Sequence, residues 1–142
     1  MITILYIEDN MQNTRLVRNV LHSNGFEMLS APNAVRGIQL AARERPDLIL
    51  MDINLPDMTG LEAAQIIKSD DKLAQIPLIA VTGNVMHGDR EQFLENGCDG
   101  YVPKPISRNE LLNAITYYLD LNEGRSKGNQ KGGATHHTAL SP

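Results

Sequence analysis

Between residues 1 and 121, five short apolar runs alternate with five longer amphipathic segments. The runs are rich in Ile, Leu and Val, which is typical of parallel strands that are covered on both faces. This alternation predicts an α/β domain with a central parallel sheet, and right-handed crossovers on both faces would make it doubly wound. The predicted strands are Ile2–Ile7, Phe26–Ala31, Leu48–Met51, Leu78–Val81 and Gly100–Val102.

The segments between these runs repeat their apolar residues at the spacing of amphipathic helices. The first helix is expected to end at Gly25 and the second before Pro46, because glycine and proline terminate helices. We expect the apolar side of each helix to pack on the sheet. The residues assigned to these apolar sides include Leu16, Val17, Val35, Ile66, Ile67, Phe93 and Leu94.

Composition and charge both change near residue 121. Residues 1–121 carry 10 basic and 16 acidic residues, whereas residues 122–142 carry three basic residues and one acidic residue. The second stretch holds four glycines and three apolar residues, too few to offset the entropy lost when a chain becomes ordered. We therefore predict a folded domain over residues 1–121 and a flexible tail over residues 122–142.

Properties of the whole chain exclude several classes of protein. A net charge of −4 over 142 residues, with no basic block, argues against a nucleic-acid partner. The single cysteine, Cys98, cannot form an internal disulfide, which indicates a reducing compartment. No apolar run approaches the ~18 residues of a membrane span, and the N-terminus lacks the features of a signal peptide. We expect a monomeric cytoplasmic domain that does not bind membranes.

Reactive side chains follow four of the five predicted strands. Glu8 and Asp9 follow the first strand, Asp52 follows the third, and Thr82 follows the fourth. Lys104 comes shortly after the fifth. Because ligands bind outside the carboxyl ends of parallel strands, we expect these side chains to gather at one edge of the sheet. Taken singly, each acid could be a helix cap and the lysine a solvated side chain, so only the cluster indicates a site.

Three carboxylates at one edge of a sheet require a cation. Two carboxylates about 4 Å apart repel by about 4 kcal/mol at an effective dielectric constant of about 20. Lys104 can balance one acid or an added phosphoryl group, but not all three acids. Mg²⁺ prefers hard oxygen ligands and is commonly bound by one or two carboxylates with water and phosphoryl oxygens. The cluster therefore favours a Mg²⁺ site.

These residues resemble the motifs of the receiver domains of two-component response regulators. The matching elements are Glu8-Asp9, Asp52 within Asp47–Gly60, Thr82-Gly83 and Lys104-Pro105. The segment from Gly97 to Ile106 is similar to receivers of hybrid histidine kinases and of stand-alone regulators of the DivK type. The resemblance spans residues 2–121 and implies a flavodoxin-like (βα)5 fold, with strand order 2-1-3-4-5 and helices on both faces.

The resemblance also implies a role for each acidic residue. Asp52 would be the phosphoacceptor, taking a phosphoryl group from a phosphohistidine on a histidine kinase or a histidine phosphotransfer protein. Asp9, Asp52 and the backbone carbonyl of Asn54 would bind Mg²⁺, and Glu8 would assist through water. The metal and Lys104 would neutralise charge on the phosphoryl oxygens during transfer.

The same resemblance implies a conformational switch. The Thr82 hydroxyl would turn toward the new phosphoryl oxygen, and Tyr101 would then swing inward, although an ordinary half-buried strand tyrosine fits the sequence equally well. The Lys104–Pro105 peptide bond is cis in this family. A population shift would change a face formed by the fourth helix, fifth strand and fifth helix, which would bind a downstream protein target.

Other functions remain open from the residues alone. Too few residues follow residue 121 for a DNA-binding domain, so a stand-alone regulator would act by binding another protein; a receiver cut from a hybrid histidine kinase is the alternative. An aspartyl-phosphate phosphatase needs an acid two residues after its nucleophile, where Asn54 stands here. A flavin or nucleotide site requires a glycine-rich or hydroxyl-rich loop after the first strand. Glu8-Asp9 stands there instead and would repel phosphate unless a metal intervened.

Overall fold

The computed structural model describes residues 1–83 and 89–126. Along this part of the chain, five strands alternate with five helices, as the apolar pattern predicts. The strands are β1 (Thr3–Ile7), β2 (Glu27–Ala31), β3 (Leu48–Asp52), β4 (Leu78–Thr82) and β5 (Gly100–Pro103). The helices are α1 (Met11–Ser23), α2 (Ala34–Glu44), α3 (Gly60–Ser69), α4 (Asp89–Glu95) and α5 (Arg108–Ser126).

All neighbouring strands are parallel, and their order is β2-β1-β3-β4-β5. This confirms the doubly wound α/β fold and the strand order that the resemblance implies. β3, β4 and β5 each run one residue further than predicted, and β1 and β2 each begin one residue later. Asp52 lies opposite Val81 and Thr82 lies opposite Pro103, so the strand pairing extends to both polar residues.

Two apolar clusters cover the two faces of the sheet, because successive strand residues point to opposite sides. Leu5 and Ile7 of β1 belong to the cluster that includes residues of α2, α3 and α4. Ile4 and Tyr6 belong to the cluster with α1 and α5. The helices therefore lie three on one face and two on the other, as a doubly wound sheet requires.

Helix caps stand immediately after the functional edge of the sheet. The Asn10 side chain accepts a hydrogen bond from the backbone N–H of Asn13 at 2.9 Å and so caps α1, which begins at Met11, three residues after Glu8. Thr59 and Glu62 form a capping box that begins α3 after the loop that follows Asp52. These caps fix where each helix starts and thereby the length of the loops that carry the acidic residues.

Some residues assigned to apolar helix sides are exposed, and that part of the prediction was wrong. The adjacent residues Val17, Ile67 and Phe93, which the same prediction assigned to the apolar sides, are buried, and in α2 Ala34 is buried beside the exposed Val35. Helical spacing alone cannot separate two adjacent apolar residues. The exposed residues, each between 44% and 47% accessible, are Leu16, Val35, Ile66 and Leu94.

α5 continues to Ser126, five residues past the boundary predicted at residue 121. The rest of the predicted tail, residues 127–142, lies outside the described part of the chain. Among the residues that are described, no helix combines the length and apolar character needed to cross a bilayer.

Candidate functional site

The acidic residues predicted from the strand ends do come together. Carboxylate oxygens of Glu8, Asp9 and Asp52 lie within 4.8 Å of one another. The reason is the strand order: β1 and β3 are neighbours, so the end of β3 lies beside the residues that follow β1. Glu8 and Asp52 are 4% and 3% exposed, whereas Asp9 is exposed to solvent.

Lys104 reaches this acidic cluster from the loop after β5. Its ammonium Nζ lies 3.2 Å from Asp52 Oδ2 and 3.4 Å from Glu8 Oε1. The backbone N–H of Lys104 donates to the carbonyl of Thr82 at 2.8 Å, which holds the loop against the end of β4. The Lys104–Pro105 peptide bond is cis, as the resemblance implies. One ammonium therefore faces two buried carboxylates.

Four donors surround the carboxylate of Glu8. On Oε1 they are the Tyr6 hydroxyl at 2.8 Å, the Asn13 side-chain amide at 3.3 Å, and Lys104. On Oε2 the donor is the backbone N–H of Asn10 at 3.1 Å. Burial pushes the pKa of Glu8 upward, but hydrogen bonds from Tyr6 and Asn10 and the Lys104 charge hold that pKa below its usual range. Glu8 is thus a carboxylate at neutral pH.

Asp52 lies in a different electrostatic environment. Its Oδ1 accepts the backbone N–H of Asn54 at 3.2 Å, and its Oδ2 faces Lys104. Burial raises the pKa of Asp52 above its usual value; the Asn54 hydrogen bond and the Lys104 charge oppose the rise, while the Glu8 charge adds to it. The pKa values of these neighbouring acids therefore shift in opposite directions, a pattern common at functional sites.

The donor set of this cluster fits a hard divalent cation. All three side chains offer oxygen, and Lys104 supplies one positive charge against three carboxylates. Mg²⁺ matches oxygen ligands of this kind. Asn54, whose carbonyl is a predicted ligand, stands two residues past Asp52 in the loop between β3 and α3.

Thr82 lies on β4, the strand between Asp52 and Lys104, and Tyr101 lies on β5, which Lys104 follows. Thr82 is buried at the end of β4, and Gly83 follows it. Tyr101 of β5 is 6% exposed, and its ring centroid lies 5.7 Å from that of Phe93. Tyr101 is therefore a buried strand tyrosine in this structure, and its movement on phosphorylation stays a prediction.

The loop between β3 and α3 is tied to a neighbouring helix. Asp57 in this loop accepts the backbone N–H groups of Ala34 and Val35, each at 2.9 Å, at the start of α2. These hydrogen bonds lower the pKa of Asp57. At the end of the loop, a Cβ on Gly60 would lie 2.8 Å from the carbonyl oxygen of Asp52, so only glycine fits there without displacement.

Sequence reasoning missed three residues that support the site: Tyr6, Asn13 and Asp57. Tyr6 could have been found, since it stands two residues before Glu8 and so faces the same side of β1. Asn13 and Asp57 carry no comparable signal, because their contacts depend on how a helix and a loop are placed in space.

Comparisons with known proteins were made for the whole chain. A family model described as "Response regulator receiver domain" matches residues 4–116. The polar-differentiation response regulator DivK of Brucella anthropi is 42% identical over 117 residues, which cover 82% of this chain and 95% of that protein.

Solved structures give the same result. One similar structure is the receiver domain of a sensor histidine kinase from Pseudomonas aeruginosa PAO1, described with a magnesium ion coordinated in its active-site cleft. It is 33% identical, with a TM-score of 0.77, and the match covers 83% of this chain and 97% of that one. The Saccharomyces cerevisiae co-crystal structure of the histidine phosphotransfer protein Ypd1 and the receiver domain of Ssk1 matches with a TM-score of 0.78 and 25% identity, covering 84% and 90%.

Proposed function

Because this chain belongs to the family of response regulator receiver domains, we propose that it is a single-domain response regulator in a two-component phosphorelay. The observation that carries the proposal is the convergence of Glu8, Asp9, Asp52 and Lys104 at one edge of the sheet. A buried aspartate beside an ammonium and two further acids can act as a nucleophile toward a phosphoryl group and hold the metal that the transfer needs.

In the proposed reaction, a carboxylate oxygen of Asp52 forms a bond to the phosphorus of a phosphohistidine. The P–N bond breaks, its electron pair stays with the imidazole nitrogen, and Asp52 becomes an acyl phosphate. Lys104, now 3.2 Å from Asp52 Oδ2, would pair with an oxygen of the transferred group.

Mg²⁺ would be held by Asp9, Asp52 and the carbonyl of Asn54, with Glu8 acting through water. When bound, the ion would supply positive charge beside the phosphoryl oxygens. The contacts on Glu8 favour this indirect role, because three polar groups already surround its Oε1 and a backbone N–H donates to its Oε2.

The output would be a shift between two conformers rather than catalytic turnover. Asn54 stands where a phosphatase of this type needs a second acid, so we propose a phosphoacceptor and not an enzyme. The Thr82 hydroxyl would turn toward the phosphoryl oxygen, and the side chain of Tyr101, which packs on Phe93, would then move. This movement would change the face formed by α4, β5 and α5. The yeast complex, in which a receiver domain binds a histidine phosphotransfer protein, supports a protein of that kind as donor. A histidine kinase as the other possible donor and a downstream protein as target belong to the same proposal.

Incubation with acetyl phosphate tests the proposal. The purified chain should gain one phosphoryl group in the presence of Mg²⁺, seen as a mass increase and as a shifted band in phosphate-affinity electrophoresis. Asp52→Asn and removal of metal with EDTA should each abolish the gain, whereas Asp71→Asn, which changes an exposed acid, should not. Equal labelling of Asp52→Asn and wild type would refute the proposal.

A further inference from the structure

Tyr6 places a hydroxyl group inside an apolar cluster. Its side chain is fully buried on the β1 face that packs against α1 and α5, among residues such as Ile4 and Leu50. A buried phenol needs a hydrogen-bond partner, and the partner here is Oε1 of Glu8 at 2.8 Å. Tyr6 and Glu8 are two residues apart, so the pleat of β1 turns both toward the same side.

The Tyr6 contact is the shortest of those on Glu8. Asn13 and Lys104 reach the same oxygen at 3.3 Å and 3.4 Å, and both come from other parts of the chain, a helix and a loop. Tyr6 belongs to β1, which is hydrogen-bonded to β2 on one side and to β3 on the other. Its position is therefore set by a strand that is paired along both edges.

A glutamate has one more rotatable bond than an aspartate, so more orientations are accessible to its carboxylate. A buried glutamate that must hold one orientation needs a donor that selects it. An aspartate at position 8 would be one methylene shorter and would not reach the Tyr6 hydroxyl in the same way.

We propose that Tyr6 is a positioning residue of the acidic cluster, holding Glu8 in the orientation from which it acts, through water, on a Mg²⁺ ion bound by Asp9 and Asp52. This inference rests on the proposed function and adds to it the residue that orients the Glu8 carboxylate. Tyr6 and Glu8 then act as a pair, and the effect of removing the hydroxyl depends on which acid stands at position 8.

A double-mutant cycle tests the pairing. Mg²⁺ affinity is measured by titration of backbone amide NMR shifts in wild type, Tyr6→Phe, Glu8→Asp and the double variant. Tyr6→Phe should weaken binding by about tenfold in the wild-type background, the scale for losing a group that orients a metal ligand. In the Glu8→Asp background the same change should alter affinity by less than about twofold.

Tyr118→Phe is the matched control. Tyr118 belongs to the same apolar cluster, but its hydroxyl lies against Gly100, the first residue of β5, at the opposite end of the strand from Lys104. Its replacement should leave Mg²⁺ affinity unchanged. A structural role for the Tyr6 hydroxyl alone would lower the free energy of unfolding without changing Mg²⁺ affinity of the folded protein, and that result would overturn the inference.

A measurement on the unaltered chain covers the case in which Tyr6→Phe does not fold. On addition of Mg²⁺, the ring signals of Tyr6 should shift with the same concentration dependence as the Glu8 amide, and those of Tyr118 should stay in place. Tyr6 ring signals that do not shift on addition of Mg²⁺ would contradict the inference. Equal losses of Mg²⁺ affinity on Tyr6→Phe in the wild-type and Glu8→Asp backgrounds would also contradict it. Failure of wild type to bind Mg²⁺ would instead refute the proposed function.

Discussion

The Nζ atom of Lys104 lies 3.2 Å from Oδ2 of Asp52, and 52 residues of chain separate the two. Asp52 ends β3 and Lys104 follows β5, so their contact spans the width of β4. Removing water from a carboxylate costs free energy, which a nearby ammonium offsets in part. The pair therefore links the charge of the proposed phosphoacceptor to the loop that follows β5.

Lys104→Met should destabilise the protein in the absence of metal. The variant keeps the length of the side chain but leaves Glu8 and Asp52 facing each other without a cation, at a cost of about 1–3 kcal/mol. Urea unfolding at pH 7 measures the loss, and added Mg²⁺ should restore part of it. Lys72→Met, at an exposed position, serves as the control. Equal loss in both variants would show that the charge at Lys104 is not what stabilises the cluster.

Asp52→Asn should stabilise the metal-free protein at neutral pH. Burial raises the pKa of Asp52 in the folded state above its unfolded value, so its ionisation costs stability as pH rises through the folded pKa. The amide removes that cost, and a gain of about 1 kcal/mol is the usual scale for such replacements at functional sites. The gain should shrink as pH falls toward about 3.9, the unfolded pKa of aspartate.

Urea unfolding measured from about pH 4 to about pH 8 follows this dependence. The matched change is Asp71→Asn, at an exposed acid, which should move stability by less than about 0.5 kcal/mol at any of these pH values. If Asp52→Asn is less stable than wild type at neutral pH without metal, the assigned direction of the Asp52 pKa is wrong.

Asp57→Ala should loosen the start of α2. The carboxylate accepts two backbone N–H groups, from Ala34 and Val35, and these bonds lower its pKa. A lowered pKa contributes stability above the unfolded value of about 3.9, and that stability is lost as pH falls through the folded pKa. The variant should therefore unfold at lower urea than wild type at pH 7, and the difference should disappear in acid. Amide exchange at Ala34 and Val35 should quicken; unchanged exchange would contradict the prediction.

Gly60→Ala should disturb the loop that follows Asp52. The added Cβ would lie 2.6 Å from the Cα of Ile53 and 2.8 Å from the carbonyl oxygen of Asp52, and backbone cannot move aside as a side chain can. Overpacking of this kind costs about 1–3 kcal/mol. Gly83→Ala is the control for stability, because among residues 1–83 and 89–126 its Cβ would meet only the Cβ of Lys104, at 3.8 Å. Equal urea midpoints for the two variants would count against the steric argument.

Cys98 should be protected from alkylation in the folded protein. The side chain is buried, and burial, with the Asp99 charge adding to it, raises the pKa of its thiol to about 12. Because the thiolate is the reactive form, iodoacetamide at pH 8 should modify native protein more than about 100-fold slower than protein unfolded in urea. Mass spectrometry follows both reactions, and equal rates would show that Cys98 is accessible.

The sequence alone was enough to predict that the reactive residues gather at one edge of the sheet. Each of Glu8, Asp9, Asp52, Thr82 and Lys104 stands at or just after a strand, and parallel strands present their carboxyl ends at one edge. Local patterning is enough for this, because strand length and hydrophobicity are properties of neighbouring residues. The same reasoning could not choose between Leu16 and Val17 as the buried residue, because that choice depends on the angle at which α1 packs.

The contacts that orient Glu8 and Asp57 could not be predicted from the sequence, because they join residues of different elements. The four donors on Glu8 come from β1, the cap of α1, α1 itself and the loop after β5, and Asp57 meets Ala34 across 23 residues of chain. A hydrogen bond forms only when donor and acceptor lie about 3 Å apart. Residues from different elements reach that distance only after the helices and loops have packed on the sheet. Residue types and their order along the chain identify the acids and the lysine, whereas the packing of helices and loops on the sheet selects which neighbours orient them and how their pKa values diverge.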